Sequence, residues 1–232
     1  MVSRGVDDIN IRMPEDAHDI GNHIPTFNAY LTVIVRDFKG NVIKVHRQRS
    51  HSPTPNFMAL MLPAQFYINI GGSLTLTGVG GATVSYQPGI STSSYDISYP
   101  NSATNYPTHI SEIQVGSGEQ SNPLSATKLA VAIASGSGTG ELIYGSISIP
   151  SGVEVNGNTA YFYVAQTYTN QSGATITITE VGIVTFIEFI EPSNNSSAGG
   201  YYILTWYDVL SSAISVPNGG SVTIYYTFAV NP

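Results

Sequence analysis

Between Ser221 and Val230 every second residue is apolar: Val222, Ile224, Tyr226, Phe228 and Val230 alternate with Thr223, Tyr225 and Thr227. Successive side chains on an extended strand point to opposite faces, so this spacing makes a ribbon with one apolar and one largely hydroxyl face. A helix would scatter the same residues around its circumference. A second strand is expected at Thr175–Phe186, and over Thr175–Val181 it repeats the pattern, with Ile176 and Ile178 set against Thr175, Thr177 and Thr179. Further short β-prone runs are expected at Phe66–Ile70, Ser73–Leu76, Thr83–Tyr86, His109–Val115, Leu129–Ile133, Glu141–Ile149, Thr159–Thr169 and Tyr201–Tyr207. Turn clusters separate them at Gly71-Gly72, Gly80-Gly81, Asn156-Gly157-Asn158, Gln171-Ser172-Gly173 and Asn218-Gly219-Gly220. Many short strands with such punctuation predict an all-β fold, a jelly-roll-like β-sandwich over residues 28–232. No fixed-period repeat supports a solenoid or propeller.

The first third reads differently. Residues 1–27 carry scattered charge between Pro14 and Pro25 without a sustained period, and are expected to form an extended arm. Residues 29–47 predict a hairpin: Ala29–Val35 alternates, Lys39-Gly40-Asn41 supplies a turn, and Val42–Arg47 returns. A short helix is expected over 56–62, with Thr54 as N-cap, Pro55 at its first position and Pro63 as terminator. Residues 87–108 form a long stretch whose one charge is Asp96. Connections beyond about 12–15 residues are uncommon unless functional or mobile.

Charge is scarce and lopsided. Seven of the eight Lys and Arg residues lie in the first 49 positions, and only Lys128 follows, beside nine carboxylates. The chain is 10% charged, where an ordinary surface is roughly a quarter charged. A net charge of −7 disfavours general nucleic-acid binding. Absence of cysteine excludes disulfides and thiolate metal sites. The polar start lacks the apolar core of an export signal, and Met1 reads as an initiator, so a complete, unexported reading frame is expected. No run approaches the roughly 20 apolar residues of a membrane helix.

Candidate chemistry is sparse. Glu15, Asp16, His18, Asp19 and His23 are metal-ligand types, but nothing rigid is predicted to hold them, so no metal or cofactor is expected. The glycines at 78–81 and 136–140 lack the lysine and strand–helix context of phosphate loops and read as turns. No Gly-x-Ser-x-Gly elbow occurs, and beyond residue 51 the sole histidine is His109. Glu188 and Glu191 could pair as acid and base, though a solvated strand end is the simpler reading. Three sets remain. Arg36, Lys39, Lys44, Arg47 and Arg49 form a basic hairpin, with Lys44, His46 and Gln48 on one face. It suits an acidic partner subunit or, as the weaker alternative, packaged nucleic acid. Tyr95, Tyr99 and Tyr106 mark an interface or receptor loop. Asn170, Asn194 and Asn195 begin glycosylation triplets of a kind that chance also produces.

Several strings resemble the β-rich virion structural proteins of tailed phages and archaeal viruses. Ile113-Gln114-Val115-Gly116-Ser117-Gly118 with Pro123 and Leu129 is similar to their VGTGT…P…L stretch. Thr177–Ile183 resembles their I-x-E-x-G-L/I strand, and Val216–Tyr226 their closing V-x-x-G-x-x-L-x-V-x-Y strand. Arg49-Ser50-His51-Ser52 before Asn56-Phe57 is similar to their R-S-F-x-x-N-F segment. The family's usual arginine near the penultimate strand is absent, and Trp206-Tyr207-Asp208 stands there instead. The resemblance implies a non-enzymatic β-sandwich building block of a capsid, vertex, decoration or tail. Its partners would be copies of itself, other virion proteins and a host surface receptor. Such a protein is made in the host cytoplasm and matures in the particle. An acidic or otherwise extreme external medium fits the few ionisable groups. Two other classes stay open: a secreted cell-surface adhesin or filament subunit, and a carbohydrate-binding or carbohydrate-active sandwich using Trp206 and surface tyrosines as stacking platforms and Glu188 and Glu191 for chemistry.

Overall fold

A computed structural model describes residues 26–50, 53–66, 74–86, 112–149, 152–191 and 196–231. In chain order the elements are β1 (Thr26–Arg36), β2 (Val42–Ser50), α1 (Pro55–Phe66), β3 (Leu74–Thr77), β4 (Thr83–Tyr86), β5 (Glu112–Gly116), β6 (Ile143–Ser148), β7 (Glu154–Asn156), β8 (Thr159–Thr169), β9 (Ile176–Glu191), β10 (Ser196–Val216) and β11 (Ser221–Asn231). The six-stranded sheet runs β2-β1-β11-β8-β6, with β7 also on β8, and the three-stranded sheet runs β10-β9-β5. All these pairings are antiparallel. Strands β3 and β4 form a separate hairpin. Among the described residues the chain is therefore an all-β sandwich with one short α-helix. Among the described residues no helix is long and apolar enough to cross a membrane.

The alternation read from Ser221–Val230 decides which face is buried. Val222, Ile224, Tyr226 and Phe228 enter the core between the sheets with Leu31, Val33 and Val35 of β1. Ile113, Val115, Ile178, Val181, Trp206 and Ile214 meet them from the smaller sheet. In β9 the phase changes. Ile176 and Ile178 face this core, and so do Val181 and partly buried Ile183, which puts Glu180 on the opposite face. The change lies opposite an irregular stretch of β10, where pairing skips from Val209 to Ile214. A strict period of two across Thr175–Val181 cannot contain such a step.

Several expected boundaries move. β1 begins at Thr26, so Thr26 and Phe27 belong to the sheet, and only residues 1–25 of the expected arm lie outside the described residues. The hairpin extends to Ser50. The helix does not stop at Pro63 but continues to Phe66. A proline removes one backbone donor, and the one turn beyond it survives that loss. Thr54 starts the helix with a long bond from the Phe57 N–H (3.4 Å) and gives its own hydroxyl to the Leu204 carbonyl (2.6 Å). Leu129–Ile133 is not a strand, β7 was not foreseen, and of the expected strand at 66–70 all but Phe66 lies outside the described residues.

Candidate interaction surface

Leu129–Ile133 meets β5 through an isolated antiparallel bridge, Gly116 with Ala132, and Glu180 holds the backbone on either side of it. Its carboxylate is fully buried and accepts from the backbone N–H groups of Val131 (2.8 Å), Ala130 (2.9 Å) and Gly118 (3.2 Å), and from the Tyr207 hydroxyl (2.8 Å). Tyr207 in turn accepts from the Gln120 N–H at 2.8 Å. Burial first, then its bond to Glu180, pushes the Tyr207 phenol well above its usual range. One buried carboxylate thus does for this loop what a ladder would do, satisfying buried donors. Two glycines make room. A Cβ on Gly116 would lie 2.6 Å from the Val131 carbonyl, and one on Gly182 would lie 2.9 Å from that of Trp206. Leu129 and Ala126, held by this loop, pack on Val184, Leu204 and Tyr207 and cover the outer face of the small sheet.

The inward face of β2 is polar for a related reason. Lys44, His46 and Gln48 do share a face, as the alternation predicts, and it points at the irregular stretch of β10. Gln48 donates to the Val209 carbonyl (2.9 Å) and accepts from the Ser211 N–H (2.8 Å), while Lys44 donates to the Ala213 carbonyl (2.9 Å). His46 lies against the hydroxyls of Ser211 and Ser212. These side chains complete backbone groups that β9 cannot reach. Next to them Ser50 donates to buried Asp208 (2.5 Å) and accepts from the Trp206 indole.

The expected five-cation patch is accordingly divided. Lys44 belongs to the seam between the sheets, which removes it from any outward contact set. Lys39 sits in the hairpin turn over the Phe38 ring, 5.5 Å from its centre. Arg36, Arg47 and Arg49 project from the outer face of the large sheet, alternating with the inward residues. Arg49 donates to Asn28 at 2.7 Å. The ladder registers place tyrosines among them. Arg49, Tyr30, Thr227 and Tyr163 form one row across the sheet, and Arg47, Thr32, Tyr225 and Ala165 the next. Tyr163 and Tyr225 pack with ring centres 5.9 Å apart. Tyr225 is itself buried with Ile34 and Ala165, so this face shows solvent Arg47 and Arg49 with half-buried Tyr30 and Tyr163, residue types that interfaces enrich. The signal was present in the alternation of Tyr161, Tyr163 and Tyr225, but it takes register to bring four strands' side chains into one field.

The other predicted residues fall apart from this face. Tyr95, Tyr99 and Tyr106 lie outside the described residues, as do Asn194 and Asn195, His109 and the acidic histidine cluster at 15–23. Asn170 is 0% exposed, and its amide donates to the carbonyls of Ala174 and Val216, both at 2.8 Å. A glycan is attached at that nitrogen, so the folded chain offers no acceptor there. Trp206 is 3% exposed and edge-packed on Phe57 and Phe228, which removes it as a sugar platform. The backbone of Glu188 and Glu191 is in β9. Glycines 78–81 turn between β3 and β4, and Gly140 turns at a φ of 80°. Compared with family models, curated proteins and solved structures, the chain gives no match in any of the three.

Proposed function

We propose that this chain is a non-enzymatic structural protein of a virion, a β-sandwich block that assembles with copies of itself and with other particle proteins. The observation that carries the reading is where the resembling residues sit. The glycine-rich string at 113–118 and the Glu180 strand are far apart in sequence, yet they pair as neighbours. Val115 faces Val181 and Gly116 faces Glu180. Leu129 completes the same unit, whose centre is the Glu180 carboxylate. Two of the four resembling strings are thus parts of one structural unit, which supports the reading. The buried polar groups here join loops and sheets, which is architecture rather than catalysis.

Mass spectrometry of purified virus particles from the source culture tests the reading. The chain is expected there in structural amounts and at constant ratio to the other particle proteins. Its absence from particles, together with its recovery from cell envelopes, would replace this reading with that of a surface adhesin or filament subunit.

A further inference from the structure

We propose that the two edges of the six-stranded sheet are the two halves of one head-to-tail contact, and that the occupant of each edge is a second copy of this chain. This deepens the building-block reading and rests on it. Among the described residues β2 has a strand on one side only, and so do β6 and β7, which share the far edge of β8; residues 134–136 bridge the chain at Leu142 as it enters β6, which leaves the rest of that edge and β7. Such edges are templates for another strand.

Exposed apolar side chains gather at both places. Phe38, Val42, Ile43 and Val45 stand at the β2 edge, and Ile149, Val153 and Val155 at the other, where Val155 is 73% exposed. Charge distinguishes the two. Arg47 and Arg49 are exposed on β2. Glu154 is exposed on β7, Glu141 precedes β6, and Glu112 lies on β5 on the same side of the sandwich. The one cation beyond Arg49 in sequence is Lys128, in the loop between β5 and β6. Two β2 edges would bring arginine against arginine, and two β7 edges glutamate against glutamate. Repulsion blocks both self-pairings and admits only the unlike pair.

The register supports the match. Arg49 lies in the row of Tyr30, Thr227 and Tyr163, and the adjacent row is Asn28, Ala229, Tyr161 and Glu154. All these side chains project from the outer face, where the Tyr161 hydroxyl donates to Glu154 at 2.6 Å. A neighbour set beside the sheet would bring its Glu154 onto the diagonal of Arg49, within reach of long side chains. A contact between unlike edges is heterologous, so it closes into a ring or continues as a filament.

Sedimentation velocity on the full chain, over a range of concentration and salt, tests this with charge reversals. The wild type is expected to associate at low salt and to dissociate as salt rises. Arg47→Glu/Arg49→Glu and Glu141→Arg/Glu154→Arg are each expected to weaken association roughly tenfold or more. Mixing the two reversed proteins is expected to restore it, because each then carries what the other lacks. Thermal melts confirm folding, and the milder Arg47→Gln/Arg49→Gln serves if a reversal does not fold. Wild type that stays monomeric throughout, reversals that assemble unchanged, or arginine variants that lose only oligonucleotide binding would each overturn the contact. Unchanged assembly of a chain found in particles sinks the edge contact alone. Edge association by a chain absent from particles sinks the virion reading alone.

Discussion

Glu180 joins backbone stretches 49 to 62 residues away in sequence. Without its carboxylate, three N–H groups in a partly buried loop lose their acceptor. An unpaired buried donor costs about 1–3 kcal/mol, and partial access to water reduces the total. Glu180→Ala is therefore expected to destabilise by about 2–4 kcal/mol, read from urea unfolding midpoints at constant m-value. Gly116→Ala is expected to act in the same direction, because the new methyl meets both the backbone carbonyl of Val131 and the Glu180 carboxylate, which cannot move without giving up the loop's hydrogen bonds. Sequence reading reached Glu180 only through the resemblance. Nothing in the alternation of β9 says that the strand changes phase there, since that change depends on the irregular stretch in β10 beside it.

Among the elements, β5 shows how the sandwich closes. It pairs with β9 on one side; on the other, the backbone of residues 131–133 bridges its end (Ser117 N–H to the Val131 carbonyl and Ile133 N–H to the Val115 carbonyl, both 2.9 Å), and side chains of the opposite sheet serve the rest. Gln166 accepts from the Ile113 N–H (2.7 Å), Tyr168 donates to the Ile113 carbonyl, and Tyr144 accepts from the Val115 N–H (3.4 Å). The edge is thereby satisfied and cannot recruit a further strand. Tyr168→Phe is expected to cost about 1–2 kcal/mol by leaving that carbonyl without its donor. Thermal unfolding checks it, and no loss would mean that water replaces the hydroxyl. β8 and β11 were legible nearly to the residue, β11 from its clean alternation. The three residues of β7 were not, because they are a strand only by virtue of lying beside Tyr161 and Ala160.

For the whole molecule, the titration behaviour is one-sided. Burial above all raises the phenols of Tyr144, Tyr168 and Tyr226 far above the ordinary tyrosine range. In the unfolded chain these groups lose their protons from about pH 10, while the folded chain keeps them. The native state then binds more protons, so stability is complete below pH 10 and falls as pH rises beyond it. The slope is about 1.4 kcal/mol per pH unit for each such tyrosine. On the acid side, Asp37 is held below the usual carboxylate range, first by the Asn41 amide, but it is exposed and contributes little. A pH series of unfolding free energies is expected to show modest change from pH 7 to pH 3 and a steep fall above about pH 10. A steeper loss on the acid side would contradict the expectation of an acid-tolerant external protein.

The sequence by itself determined the all-β class, the β1–β2 hairpin, the turns and the side of each regular strand that is buried. These follow from local rules, since a period of two and a glycine in a turn act within a few residues. Only the tertiary structure decided which charges point outward, that Asn170 and Trp206 are enclosed, and that tyrosines and arginines from four strands share a face. It also decided which edges of the sheet remain open. Those outcomes depend on pairing order and register, and register is set by contacts between segments distant in sequence, most of all where β1 meets β11.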